Sequence, residues 1–227
     1  TNRESSDWGK HVNWSDDLPF HWENVFITND GSKTVKADNE TWVEAADSLV
    51  MTNLTISAAR GSTNVLVLGG RDTVLQVNDT LTVTTGGVVD LQGGTMSVRR
   101  QLAITGDCAN GFAGEVYLNG GTLIVTNSLG DAELVVNAGS LRLVSGTLIV
   151  DRLVLAGSCA RFVRNEGVVA TIGGTNLIGN SDADGDRFGN ELEMQYGSDP
   201  FNPGSIPTLV LSPIGDMSID EGSTLEV

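Results

Sequence analysis

The chain has 227 residues, 40% of them hydrophobic, and carries a formal net charge of −16 from 13 basic and 29 acidic side chains. A mean hydropathy near zero excludes general disorder, while so large an acidic excess excludes a duplex-binding surface and repels an anionic membrane. No apolar run approaches the roughly 18 residues of a membrane-spanning helix, so nucleic-acid binding and membrane insertion both drop out.

In chain order, the opening segment 1–45 holds Trp8, Trp14 and Trp22, with Trp42 near its end and both histidines, His11 and His21. Residue 1 is Thr, which reads as a processed, secreted chain or a segment of a longer one. The run W-G-K-H-V-N-W-S-D-D-L-P-F-H-W-E-N-V-F-I at 8–27 fits an aromatic cap on the first coil of a repeat structure. A platform for sugar rings is the alternative. The two histidines have no third ligand in pattern, so a zinc site is not expected.

From 46 to 178 the chain repeats. VVDLQGGTMSV (88–98), EVYLNGGTLIV (115–125), SLRLVSGTLIV (140–150) and VVATIGGTNLI (168–178) align on Thr95, Thr122, Thr147 and Thr175, about 25 residues apart. VLVLGGR at 65–71 is an imperfect earlier copy. Alternation puts Val89 and Leu91, Val116 and Leu118, and Leu141 and Leu143 on one face, with Asp90, Tyr117 and Arg142 on the other. A further short strand follows in most copies: LAIT (102–105), AELVV (132–136) and LVLAG (153–157).

Three short strands per repeat, cornered by glycine, are what one coil of a β-solenoid requires, because stacked coils bury a face that none can bury alone. The expected fold is therefore all-β: a right-handed parallel β-helix with an N-terminal cap, a C-terminal calcium loop plus short helix, and extended C-terminal strands. An antiparallel sandwich is the rival, though it has no reason to repeat one motif at one phase. Thr171 and Asn176 fall at expected inward positions, so the regular stack is expected to end in the fourth copy. Cys108 and Cys159 lie about two coils apart, beyond an unstrained disulfide unless loops bend together. Asn13, Asn39, Asn53 and Asn78 begin N-x-S/T sequons.

The stretch 179–204 contains D-A-D-G-D-R-F-G-N-E-L-E. Asp182, Asp184, Asp186, Phe188, Asn190 and Glu193 occupy positions 1, 3, 5, 7, 9 and 12 of a calcium loop of the EF-hand type. Such crowded carboxylates repel unless a cation sits among them, and oxygen-only ligands select a hard ion, Ca2+ before zinc or magnesium. Position 6, normally glycine, is Arg187. A frame starting at Asn180 would put Gly185 there and Glu191 last, losing the first aspartate.

The segment D-A-D-G-D-R-F-G-N-E-L-E-M-Q-Y-G-S-D-P resembles the thrombospondin type 3-like and dockerin-like calcium repeats of secreted bacterial proteins. That resemblance covers about 25 residues and implies the same ligands in the first frame, with Asp199 adding an oxygen or capping the turn. The repeats resemble the Gly-Gly-Thr β-helix repeats of large bacterial surface proteins. The tail P-I-G-D-M-S-I-D-E-G-S-T-L is similar to the first strands of bacterial immunoglobulin-like domains.

Residues 205–227 supply strands without a sheet, either the start of a further domain or strands that pair with a neighbouring copy. The expected function is a non-catalytic extracellular structural protein: a calcium-binding subunit of a surface fibre or adhesin stalk, self-associating head to tail through its C-terminal strands and solenoid ends. A glycan-binding module of a larger secreted polysaccharide-active protein is the alternative. A β-helix lyase or hydrolase is disfavoured, because no two acids recur at one outward phase on adjacent coils.

Overall fold

The computed structural model describes residues 7–15, 17–171, 175–177, 182 and 184–208, with backbone alone at 42–44, 46, 48, 108, 170, 171 and 175–177. Its strands in chain order begin with β1 (Asn24–Ile27), β2 (Lys33–Ala37), β3 (Val50–Met51), β4 (Asn53–Ile56), β5 (Asn64–Leu68), β6 (Val74–Val77), β7 (Thr80–Val83) and β8 (Gly87–Leu91). They continue with β9 (Thr95–Val98), β10 (Gln101–Ile104), the short hairpin β11 (Gly106–Asp107) and β12 (Phe112–Ala113), and β13 (Glu115–Val125). The last are β14 (Glu133–Val150), β15 (Arg152–Arg164), β16 (Val168–Thr171) and β17 (Thr175–Leu177). Helix α1 (Asn39–Ala45) follows β2, and α2 (Asn190–Tyr196) follows the acidic loop.

Apart from the antiparallel β11–β12 hairpin, every pairing between these strands is parallel and joins each strand to its equivalent one coil away. The chain is thus a parallel β-solenoid of about 6 turns. Strands β13 and β15 each run through a corner and serve two faces of the coil, and β14 runs through two corners and serves all three.

Three inward rows make the core. Val35, Leu66, Val89, Val116, Leu141 and Phe162 stack in register on one face. Leu54, Leu81, Leu102, Leu134 and Leu153 stack on the second, and Leu75, Met96, Leu123, Leu148 and Val169 on the third. All but the half-buried Val169 are buried, each worth about 1.5–3 kcal/mol of transfer free energy. The marker threonines Thr95, Thr122 and Thr147 stand on one another outside this core, just past the glycine corners. Gly139 shows why a corner excludes a side chain. Its φ is 95°, and a Cβ there would lie 2.0 Å from the Gly114 carbonyl oxygen of the adjacent coil.

The last repeat is phased differently from the sequence alignment. Val168, not Thr175, stacks on Thr147, and Thr175 pairs with Leu153. The strand missing from that alignment is S-C-A-R-F-V-R within β15, where Cys159–Arg164 pairs with Ala138–Leu143. Asn176 consequently pairs with Val154, an outward, half-buried position. Strands β1 and β2 belong to the same sheet, so the solenoid begins at Asn24, inside the segment read as a cap.

Ahead of them Trp8 is fully buried. Its ring meets that of Trp14 edge-on at 4.8 Å, and its main-chain N–H donates to the Lys36 carbonyl at 2.7 Å. Two sequons hold structural amides: Asn13 donates to the Asp7 carbonyl and Asn53 to Asn24 Oδ1. Cys159 is disulfide-bonded. No helix among the described residues is long and apolar enough to cross a membrane.

Candidate metal centre

Past the last coil, the acidic loop folds through short aspartate turns. Asp182 Oδ1 accepts from the Gly185 N–H at 2.7 Å and its Oδ2 from Arg187 N–H at 3.0 Å. Asp184 Oδ1 accepts from Asp186 N–H at 3.2 Å, and Asp186 Oδ1 from Phe188 N–H at 2.8 Å. Aspartates at alternate positions suit this winding because each reaches a backbone N–H two to five residues ahead. The loop needs left-handed backbone at Gly185 and at Arg187, both with φ of 83°. Arg187 is the only described non-glycine residue in that region.

Helix α2 then inverts the usual pattern of a surface helix. Asn190 and Glu193 are fully buried, whereas Leu192, Met194 and Tyr196 are exposed. Gly197, in the left-handed region, ends the helix by donating its N–H to the Glu193 carbonyl.

Asp182, Asp184 and Asp186 form a cluster that can hold a metal ion, each offering a carboxylate oxygen within 4.8 Å of the others. Asp184 Oδ2, Asp186 Oδ2 and both oxygens of Glu193 are buried without a hydrogen-bond partner among the described residues. A buried carboxylate left this way carries its full desolvation penalty. Burial, and then the charges of Asp184, Asp186 and Asp182, push the Glu193 carboxyl up to about 7 from 4.5. Burial first, then the neighbouring acids, push Asp184 up to about 6 from 3.8. A cation among these oxygens would remove both effects.

Glu193, the last residue of the frame starting at Asp182, is buried beside the aspartates, whereas Glu191, the last residue of the frame starting at Asn180, is exposed. Phe188 is half-buried, and Asn190 lies fully buried at the start of α2. Asp199 does not turn to the cluster. Its Oδ1 accepts from Phe201 N–H at 3.1 Å and its Oδ2 from Arg164 Nη2 at 2.7 Å.

That pairing is one of several that seat the loop on the last coil. Arg161 Nη1 donates to the Asp182 carbonyl at 2.6 Å. Phe201 packs on Phe162 with ring centres 4.9 Å apart, and Arg164 N–H donates to the Phe201 carbonyl. These anchors escaped the sequence reading because β15 lacks the Gly-Gly-Thr marker. The alternation of Ala160, Phe162 and Arg164 was the available signal.

Comparison with family models, curated proteins and solved structures gives no match. The chemistry of the site therefore rests on its own residues. They offer oxygen ligands alone, the donor set of a hard cation.

Proposed function

We propose that the protein is a non-catalytic, extracellular structural rod whose C-terminal connector is locked by calcium. The carrying observation is the Glu193 carboxylate, wholly buried with both oxygens unpartnered beside three aspartates. A bidentate glutamate closing a loop of alternate aspartates is the arrangement calcium takes. Magnesium holds its waters and wants a tighter octahedron. Asp182, Asp184, Asp186, Asn190 and Glu193 would supply side-chain oxygens and Phe188 its main-chain carbonyl. With Arg187 strained at position 6, the affinity belongs to the extracellular range, about 10⁻⁴ to 10⁻³ M or somewhat tighter.

Two observations support placement outside the cell and a structural role. Cys159 is disulfide-bonded, which fits an oxidising compartment. The outward acids are engaged with neighbours: Asp90 accepts from Gln92 and Asn119, and Glu115 from the Tyr117 hydroxyl. Head-to-tail association of copies through the C-terminal strands and the solenoid ends extends this reading to a surface fibre or stalk. The strands of that tail beyond Thr208 lie outside the described residues.

Calorimetric titration of the chelated protein tests the ion. One calcium per chain, lost in Glu193→Ala, is the expected result; no calcium binding at millimolar concentration refutes the reading. Light scattering tests assembly, which requires growth beyond the monomer in millimolar calcium.

A further inference from the structure

The N-terminal aromatic residues separate into two groups. Trp8 and Trp14 pack against the core, whereas Phe20, Trp22 and Phe26 are exposed, Trp22 to 64%. The rings of Phe20 and Trp22 lie parallel within 7° at 5.5 Å, and His21 braces the Trp22 ring edge-on. Phe20 and Phe26 line a groove of about 510 Å³ beside β1, together with Trp14, Leu18 and Val25, and Trp22 backs the Phe20 ring from outside that lining. Asp17, Glu23 and Asn24 also line it, and among the described residues no lysine or arginine does. Asp17 and Glu23 each use one carboxylate oxygen locally, Asp17 toward Leu18 N–H and His11, and Glu23 toward Phe20 N–H. Their second oxygens, and the Asn24 amide N–H groups, have no partner among the described residues.

From this geometry we infer a binding site for a neutral glycan. Exposed apolar residues gathered in one patch, rather than scattered singly, mark an interaction site. A sugar ring offers one face of weakly positive C–H groups, which lies flat on the negative face of an aromatic ring. Its rim of hydroxyls donates to carboxylates such as Asp17 and Glu23 and accepts from an amide such as Asn24. The negative lining, in a chain of net charge −16, repels uronates, sulfated sugars and phosphates. A concave groove within the usual 300–1,000 Å³ of ligand sites favours a short stretch of oligosaccharide over a flat protein partner. The site lies beside the solenoid's first coil and does not depend on the calcium reading.

Affinity electrophoresis of the full chain through gels containing β-glucan, xylan, mannan or, as the anionic control, polygalacturonate tests the site. At least one neutral polymer should retard the protein, equally with calcium or chelator, and polygalacturonate should not. Phe20→Ala should weaken that retardation at least tenfold, and Glu23→Gln severalfold, with the thermal transition unchanged because both side chains are exposed. Three outcomes overturn the inference: no neutral polymer retards the chain, Phe20→Ala is retarded like the parent, or Phe20→Ala shifts the sedimentation of the free protein, which would mark the patch as a contact between copies. Loss of calcium binding with retained retardation would refute only the connector reading.

Discussion

Arg161 reaches from the last coil to the main-chain carbonyl of Asp182, 2.6 Å away, and so joins the solenoid to the first residue of the acidic loop. A hydrogen bond from a charged donor contributes about 1.5–3 kcal/mol. Arg161→Met keeps the stem and removes the donor. The expected result is proteolytic cleavage after residue 182 on the order of tenfold faster, as local opening becomes easier, with the thermal transition of the coils unmoved. Cleavage at the parent rate would show that this bond does not hold the connector.

Glu193→Gln separates the charge from the shape. In chelator the variant should be at least as stable as the parent, because it no longer buries an unpartnered carboxylate beside three aspartates. The parent gains about 2.7 kcal/mol at a calcium concentration one hundred times its dissociation constant. The variant should lose most of that gain. Thermal melts with and without calcium measure both.

Proton competition gives a pH signature. Glu193 and Asp184 hold their protons to about 7 and about 6 in the folded chain, against 4.5 and 3.8 ordinarily. Between those limits the folded state binds more protons than the unfolded state, so stability in chelator falls as pH rises. Calcium needs the ionised forms, so its apparent affinity should rise with pH and level off above about 7. Titrations at pH 5.5 and pH 7.5 should differ at least tenfold; equal constants would mean that the two carboxyls are not ligands.

Arg187 has a φ of 83°, a conformation that costs a non-glycine residue about 1–2 kcal/mol. Arg187→Gly removes that strain and a bulky cation near the site. Calcium affinity should improve roughly fivefold, read by calorimetry at fixed ionic strength.

Gly139→Ala acts on the coils alone. Its Cβ would meet the Gly114 carbonyl at 2.0 Å, and its φ of 95° is unfavourable for alanine. A loss of about 1–3 kcal/mol in the solenoid transition is expected, with the calcium constant unchanged because the metal loop lies outside that corner.

The solenoid was legible because stacking enforces one phase. Wherever Gly-Gly-Thr or Ser-Gly-Thr marks a corner, as at Thr95, Thr122 and Thr147, the structure pairs those residues directly. The reading failed where the marker was imitated or absent: Gly173-Gly174-Thr175 copies the motif one strand late, while Cys159–Arg164 fills a rung with no Gly-Gly-Thr marker. Strands β1 and β2 went unnoticed because tryptophans around them suggested a cap. In the acidic loop the spacing gave the alternate aspartates. It could not give the depth at which Glu193 is buried or the seat provided by Arg161 and Arg164, since those depend on contacts between elements distant in sequence.

Each described coil hydrogen-bonds only to the coils on either side, at a spacing of about 4.8 Å. Val74 through Gly94 is one such layer, because Val74 and Thr95 are equivalent positions. Excising it would shorten the molecule by one rung and leave the tryptophan end and the acidic end chemically intact. The fold is thus a ruler, on which gaining or losing a repeat resets the distance between its two termini without redesigning either.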